Sequence, residues 1–270
     1  MAAHEVNWVP DGAWLTPGYA EWAPPAALRG ILACLWASIA PAGAGQEALV
    51  LPDACSDLIW EQGAGAYVAG PDTGPVLTST PPGTVIVGVR FRPSAGGPAL
   101  GLPLSEIRDQ RVDLADLLPL ARPPVAARQL AAGLSADLDP AAAMRKVLDV
   151  AGALAGGRAP DRAVAHAAGL LRDPAVRLEQ VAAAVDLSER QVRRRFHDAV
   201  GYGPKTLQRV YRFQRFVQRV DVSRAGQRES GEWDLATVAA EAGYADQAHL
   251  TRECVSLSGL TPAALARVRG

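Results

Sequence analysis

The chain has 270 residues, of which 49% are hydrophobic and 20% are charged, and its formal net charge is -1. This composition is typical of a globular protein and excludes a disordered, collagen-like or coiled-coil chain, while the length favours two domains. The most apolar run, Leu28–Ala40, contains Arg29 and lies between two prolines, so it is too short to span a membrane. Because the N-terminus shows no secretory signal, we expect a cytoplasmic protein without a membrane partner.

The first part of the chain, residues 1–120, is rich in proline and glycine and contains several short apolar runs. In the run Val85–Phe91 β-branched side chains dominate, which predicts a strand. Short helices are expected at Pro25–Ser38 and Ser105–Leu118. We therefore interpret residues 1–120 as a β-rich domain for sensing or dimerisation.

The next segment, residues 121–160, is predicted to be a helical connector and linker. Asp139 and Pro140 supply an N-cap and a first-turn proline for a helix that ends near Ala155. The sequence Gly156–Pro160 then breaks this helix. A homodimer could form through the helical residues 125–155.

The charge is distributed unevenly along the chain. Residues 1–159 hold 10 Lys and Arg against 15 Asp and Glu, whereas residues 160–270 hold 17 against 13. The segment Ser188–Arg219 holds nine basic residues and only two acidic ones. Such clustering is typical of a protein that binds a polyanion, and a solvated basic helix is the alternative.

The C-terminal segment, residues 161–270, is predicted to be all helical and to repeat itself at an offset of 58 residues. Gly201 aligns with Gly259 and Pro204 with Pro262, which indicates a tandem duplication because each residue type fixes backbone geometry. Each copy is predicted to form a helix, a tight turn and a second helix. The second helices are expected at residues 189–200, capped by Ser188, and at 247–257, capped by Asp246. This is the design of a helix-turn-helix unit.

Residues 178–207, and above all the segment from Trp233 to Cys254 followed by Gly259–Pro262, resemble the DNA-binding domain of AraC/XylS-type transcription regulators. The resemblance covers residues 173–267. It implies two helix-turn-helix units joined by a long helix, here 204–221, that read two successive major grooves of double-stranded DNA. Cys254 departs from the phenylalanine that the family usually has there, and this substitution is expected to weaken packing in the second unit.

The candidate DNA contacts lie on the two second helices and at the start of the joining helix. Arginine suits bidentate contact with guanine, and glutamine suits adenine. Arg195 is expected to contact a phosphate or an intramolecular partner, and for His249 both a groove contact and a capping role stay open. The candidates are Ser188, Arg190, Gln191, Arg193, Arg194, Lys205, Arg209, Gln247, His249 and Arg252.

Residues 50–60, 68–71, 88–93 and 101–112 resemble the sensor-like domain that precedes some AraC-type regulators, which implies a degenerate cupin-like barrel. Arg90 and Arg92, two apart on the predicted strand, point the same way and could hold an anionic ligand, or could form an exposed charged face. The tryptophans of this half could line an apolar pocket or form the core. They are Trp8, Trp14, Trp22, Trp36 and Trp60, of which Trp36 and Trp60 are the ligand candidates.

A metal site is not expected. Asp53, Asp57 and Glu61 would share one face of a helix, but Pro52 and Gly63 argue against a helix there. The cysteines Cys34, Cys55 and Cys254 are irregularly spaced and are expected to be buried apolar side chains.

We interpret the chain as an α+β two-domain, sequence-specific transcription regulator that responds to an effector through its N-terminal domain. It lacks nucleophile-elbow and dinucleotide-binding motifs, and we expect no enzyme activity and no cofactor. RNA polymerase is a further partner if the protein activates transcription. Two alternatives stay open: a constitutive regulator without an effector, and a small-molecule-processing domain fused to a DNA tether.

Overall fold

A computed structural model describes residues 17–121, 123–156, 158–225 and 235–268. Within these ranges the chain is an α+β protein whose strands all precede residue 114 and whose second half is helical. The strands are β1 (Gly18–Trp22), β2 (Leu32–Ile39), β3 (Gln46–Val50), β4 (Ser56–Glu61), β5 (Gly65–Ala69), β6 (Val76–Thr80), β7 (Val85–Phe91) and β8 (Arg111–Asp113). The helices are α1 (Gly96–Leu100), α2 (Leu114–Ala121), α3 (Val125–Ala131), α4 (Pro140–Ala155), α5 (Arg162–Leu170), α6 (Leu178–Ala184), α7 (Glu189–Val200), α8 (Pro204–Ala225), α9 (Leu235–Ala242), α10 (Gln247–Ser258) and α11 (Pro262–Val268). None of these helices is both long and apolar enough to cross a membrane.

The strands form an antiparallel six-stranded sheet, in the order β1-β2-β7-β4-β5-β8, and a separate pair β3-β6. Because side chains alternate along a strand, the large sheet has two distinct faces. One face packs against α4 and neighbouring helices to form the first core, with Leu58, Trp60, Val87 and Phe91 at its centre. The other face carries a smaller cluster around Trp36 and Ile59.

The predicted strand Val85–Phe91 is confirmed as β7, whereas the helix expected at Pro25–Ser38 is wrong. Only a short 3-10 turn occurs there, at Ala26–Leu28, and strand β2 follows it. Both faces of β2 are largely buried, so its apolar run lacks the alternation that marks a half-exposed strand.

Helices α3 and α4 lie in residues 121–160, the predicted connector, and pack into the first core. Asp139 caps α4 by accepting hydrogen bonds from the amides of Ala141 and Ala142, at 3.0 and 3.1 Å. Pro140 occupies the first turn, as the sequence predicts. The apolar face of α4 is buried in the first core, so most of it is used inside the N-terminal domain.

The C-terminal part contains two helix-turn-helix units, α6–α7 and α9–α10, with α8 between them. Helices α7 and α10 each end at a glycine in the left-handed region, Gly201 with φ 91° and Gly259 with φ 71°. Pro204 and Pro262 then begin the next helices. The tandem repeat read from the sequence is thus a repeat of structure, since the same residue types end and begin the same elements.

The two parts are in close contact. A Cβ at Gly97 in α1 would lie 2.4 Å from the carbonyl oxygen of Asp198 in α7, so only glycine fits there. The side-chain amide of Gln214 in α8 donates a 2.6 Å hydrogen bond to the carbonyl of Pro52. Ala54 in the loop from β3 to β4 is buried in the second core, among side chains of the C-terminal helices.

Candidate DNA interface and interdomain cavity

The start of α7 is fixed by a reciprocal cap. The Ser188 hydroxyl accepts from the amide of Gln191 at 3.3 Å, and the Gln191 side-chain oxygen accepts from the amide of Ser188 at 2.8 Å. Two backbone donors at the helix N-terminus are thereby satisfied. Ser188 and Gln191, both candidate DNA contacts, therefore also fix the N-terminus of the recognition helix.

Three candidate arginines of α7 are exposed. Arg193 donates to Glu189 at 2.7 Å, an exposed pair one turn apart that is worth little and can be exchanged for a phosphate or a base. Arg190 and Arg194 make no ion pair with the described residues. Arg195 points elsewhere and pairs with Asp161, the N-cap of α5, at 3.1 Å, so of its two expected roles the structure has the intramolecular one.

The second recognition helix, α10, is capped by Asp246, which accepts from the amide of His249 at 2.6 Å. Gln247 and Arg252 are exposed on its outer face. The His249 imidazole is turned towards the protein, with Nε2 3.7 Å from a carboxylate oxygen of Glu253 and the ring edge-on to Tyr244. His249 thus sits against the body of the domain, and α10 offers Gln247 and Arg252 as its outward polar contacts.

Glu253 joins α10 to the long helix α8. Its carboxylate is 11% exposed, accepts from Nε of Arg209 at 2.8 Å and lies 3.5 Å from Nε of Arg212. Arg209 also donates to the Ser256 hydroxyl at 3.4 Å. Arg209, a candidate DNA contact, therefore has its guanidinium held by α10. Lys205, one turn earlier, stays exposed.

A cavity of about 760 Å³ lies between the large sheet, the β3-β6 pair and α8. Its floor is the second face of the sheet, with Tyr19, Trp36, Ile59 and Tyr67. The opposite wall is one stripe of α8 at helical spacing: Gln214, Val217, Gln218 and Asp221. The helix that joins the two DNA-reading units is therefore a wall of this cavity.

Arg90 lies in the cavity but is already surrounded by carboxylates. Its guanidinium is 3.2 Å from Asp57, 3.3 Å from Asp53 and 3.3 Å from Glu21. An anionic ligand at Arg90, one of the sequence hypotheses, would have to displace these partners. Arg111 is occupied in the same way, with two 2.7 Å hydrogen bonds to Asp72.

Burial shifts the pKa values of several titrating groups in the cavity wall and of Cys34, which is buried behind it. Burial raises the pKa of Asp57 to about 6, and the neighbouring Arg90 guanidinium acts in the opposite direction. Burial also raises the pKa of Cys34 to about 12 and that of Cys55 well above its ordinary value. Both thiols stay protonated near neutral pH, so neither is an activated nucleophile.

Two of the four ligand candidates do not line the cavity. Arg92 follows the end of β7 and donates to the carbonyl of Arg29 at 2.8 Å, so it does not share the side of Arg90. Trp60 belongs to the opposite face of the sheet, where it is fully buried and donates to the carbonyl of Ser135. Trp22 packs against the first core, and Trp8 and Trp14 lie outside the described residues.

The three carboxylates that a helix would have aligned lie on strand β4 and in the loop before it. Asp57 and Glu61 lie on this strand and Asp53 precedes it, and all three line the cavity. No group of three metal-binding side chains close enough for one ion occurs in the part of the chain that the structure describes. In the sequence these residues suggested only a metal site on a helix. On a strand, the alternation of side chains puts Asp57, Ile59 and Glu61 on one face.

Comparison with known proteins matches both parts of the chain to families. Residues 181–267 match a family described as "Helix-turn-helix domain", and residues 20–113 match "Domain of unknown function (DUF6597)". No curated protein matches. With the duplicated units described above, the fold defines the class: a protein that binds DNA through two helix-turn-helix units. More particularly, the helix-turn-helix match at residues 181–267 makes the chain a DNA-binding transcription regulator.

Among solved structures the chain is similar to ToxT from Vibrio cholerae O395, at 10% identity, with a TM-score of 0.41 and coverage of 83% of this chain and 98% of that chain. It is also similar to ToxT from the same strain bound to (E)-4-(8-methylnaphthalen-1-yl)but-3-enoic acid, at 9% identity, with a TM-score of 0.42 and coverage of 94% and 97%.

Proposed function

We propose that the protein is a sequence-specific regulator whose two recognition helices, α7 and α10, read successive major grooves of a duplex, and whose DNA affinity changes when a small molecule occupies the interdomain cavity. The observation that carries this proposal is the position of the cavity. Its floor belongs to the N-terminal sheet, and its opposite wall belongs to α8, which joins the two DNA-reading units. Occupancy of the cavity therefore acts on the element that sets their relative position.

The DNA contacts follow from exposure and chemistry. Arg190 and Arg194 on α7 and Arg252 on α10 present guanidiniums to the groove, and Gln247 presents an amide that suits adenine. Lys205, at the start of α8, contacts a phosphate. Arg193 joins them by exchanging Glu189 for DNA.

The route from cavity to DNA runs through the end of β3 and the loop between β3 and β4. Leu49 and Leu51, at the edge of the cavity, pack against the second core, and Pro52 is hydrogen-bonded to Gln214 of α8. A ligand shifts a conformational equilibrium only as far as its affinities for the two conformations differ. A ligand that contacts both the loop and α8 has different affinities for two conformations in which the loop and α8 are differently placed.

Other partners complete the proposal. The regulator works without turnover, in line with the thiol of Cys55 in the cavity wall, which burial keeps protonated. It acts on cytoplasmic DNA and, as an activator, contacts RNA polymerase.

A homodimer would use the exposed apolar side chains Val125 and Leu130 of α3, because α4 is largely committed to the first core.

The first experiment is selection of bound fragments from a random duplex pool with the full-length protein at a fixed salt concentration. Two enriched patches about one helical turn apart support reading by both units. The selected duplex then serves in binding titrations against a small-molecule library. A ligand that stabilises the protein and changes its DNA affinity supports the effector role, whereas unchanged DNA affinity with every ligand that binds would favour the constitutive alternative.

A further inference from the structure

The floor of the cavity is one continuous row across five strands. Glu21 in β1 is opposite Trp36 in β2, which is opposite Gly88 in β7, then Ile59 in β4 and Tyr67 in β5. Directly opposed side chains in a sheet are about 5 Å apart, so this row is a contiguous surface. It is apolar and aromatic in the middle and carries a carboxylate at one end.

The Trp36 indole packs against the backbone at Gly88. A Cβ at Gly88 would be 2.7 Å from Cε2, 2.7 Å from Cζ2 and 2.9 Å from Nε1 of Trp36, so only glycine leaves room for the ring. The indole lines the cavity and is 8% exposed. The indole N–H donates to Asp57 at 2.7 Å, which fixes the ring in this orientation. The π face of tryptophan attracts cations.

The walls of the cavity carry more negative than positive charge. Five carboxylates from the N-terminal domain line it, against two guanidiniums, and Asp221 of α8 lies on the opposite wall. Arg90 is shared by three of the carboxylates and Arg111 is held by a fourth. Glu61 accepts a hydrogen bond from Tyr67 and has no cationic partner among the described residues. The five carboxylates are those of Glu21, Asp53, Asp57, Glu61 and Asp72.

We propose that the cavity binds an organic cation, a protonated amine or quaternary ammonium carried on a flat or apolar body. The body lies on the Trp36–Ile59–Tyr67 row, and the cationic group lies beside Glu61, where a carboxylate and the ring of Tyr67 meet. The volume of about 760 Å³ is that of a site for a small organic molecule. The carboxylates are spread around the walls and form no cluster suited to a metal ion in the described chain. This inference names the ligand class of the proposed effector site and so rests on the proposed function.

An anion is the less favourable occupant. It would compete with three carboxylates for Arg90 and would add negative charge beside Glu61. A neutral ligand would fill the volume but leave the Glu61 charge uncompensated. Charge complementarity therefore separates the three classes of ligand by affinity.

The test uses sets of ligands that share one body and differ only in charge. Three bodies, 4-phenylbutyl, 2-naphthylethyl and 4-cyclohexylbutyl, each carry a primary ammonium, a hydroxyl or a carboxylate. Affinity for the full-length protein is measured by calorimetry, with thermal shift as a second readout. We expect at least one ammonium compound to bind about tenfold more tightly than its hydroxyl and carboxylate counterparts. If no ammonium compound binds more tightly than both counterparts, the proposal is overturned.

Variants place the binding in the cavity. Glu61→Gln and Trp36→Leu should each weaken the ammonium compound about tenfold and leave the hydroxyl compound less affected. Glu47→Gln, on the exposed side of β3, is the matched control and should leave affinity unchanged. If the ammonium compound binds wild type, Glu61→Gln and Trp36→Leu with equal affinity, the proposed binding site is wrong. Circular dichroism and the melting temperature of each variant verify that it is folded.

The DNA titration separates this inference from the proposed function. An ammonium compound that binds in the cavity and leaves DNA affinity unchanged would uphold the ligand class and contradict the effector role. A neutral or anionic compound that binds more tightly and changes DNA affinity would uphold the effector role and contradict the ligand class.

Discussion

Arg190 lies in the first turn of α7, is exposed, and makes no ion pair with the described residues. The N-terminal residues of a recognition helix are those that reach base edges. We therefore expect Arg190→Ala to lose about 1–3 kcal/mol of discrimination at one base position, and Lys205→Ala to weaken binding to all sequences alike. Competition between the selected duplex and random DNA measures both effects. Arg145→Ala, on the exposed side of α4, is the control and should change neither affinity. If Arg190→Ala weakens binding to the selected and the random duplex equally, Arg190 does not read a base.

A second prediction at the scale of single residues concerns the pH dependence of stability that Asp57 causes. Its pKa of about 6 in the folded protein is above the ordinary value of 3.8, since burial disfavours the charged form. The folded state then binds this proton more tightly than the unfolded state does. The resulting stabilisation is present below pH 3.8 and is lost as the pH rises through about 6. In urea unfolding, the stability of wild type relative to Asp57→Asn should fall between about pH 4 and pH 7, by roughly 3 kcal/mol at most. A difference that is flat or rises with pH would contradict the burial of this carboxyl.

At the scale of elements, the attachment of α10 to α8 depends on Glu253. Glu253→Gln removes the charge that Arg209 and Arg212 share and leaves both guanidiniums partly buried, so we expect a loss of about 2–3 kcal/mol in the free energy of unfolding. Glu189→Gln breaks the exposed pair with Arg193 and should cost less than about 0.5 kcal/mol. Chemical denaturation compares the two variants. In footprinting, Glu253→Gln should lose protection of the patch read by α10 before the patch read by α7, and uniform loss would contradict a local role.

The elements also differ in how well the sequence predicts them. Caps and terminators act locally, so Ser188, Asp246 and the two C-terminal glycines predicted α7 and α10 to within one residue. Strand β2 was missed because burial on both faces hides its period. Trp36 and Trp60 look alike in sequence, and only the strand register puts one in the cavity and the other in the core. The cavity itself joins residues from Tyr19 to Asp221, which pattern reasoning along the chain cannot bring together.

At the scale of the whole molecule, the close approach of α1 to α7 makes Gly97 the test of coupling between the domains. A methyl group there would lie 2.4 Å from the carbonyl oxygen of Asp198, whereas one at Gly30 would meet nothing within 4 Å. Gly97→Ala should therefore force α1 away from α7, lower the melting temperature and reduce the effect of a cavity ligand on DNA affinity, while Gly30→Ala should change none of these. Ligand affinity should persist in Gly97→Ala, because the cavity is lined by other elements. Calorimetry with ligand, followed by DNA titration with and without it, separates binding from transmission. A variant that binds ligand and still transmits fully would mean that coupling does not need the α1–α7 contact and runs instead through the loop between β3 and β4, which contacts α8 at Gln214 and the second core at Ala54.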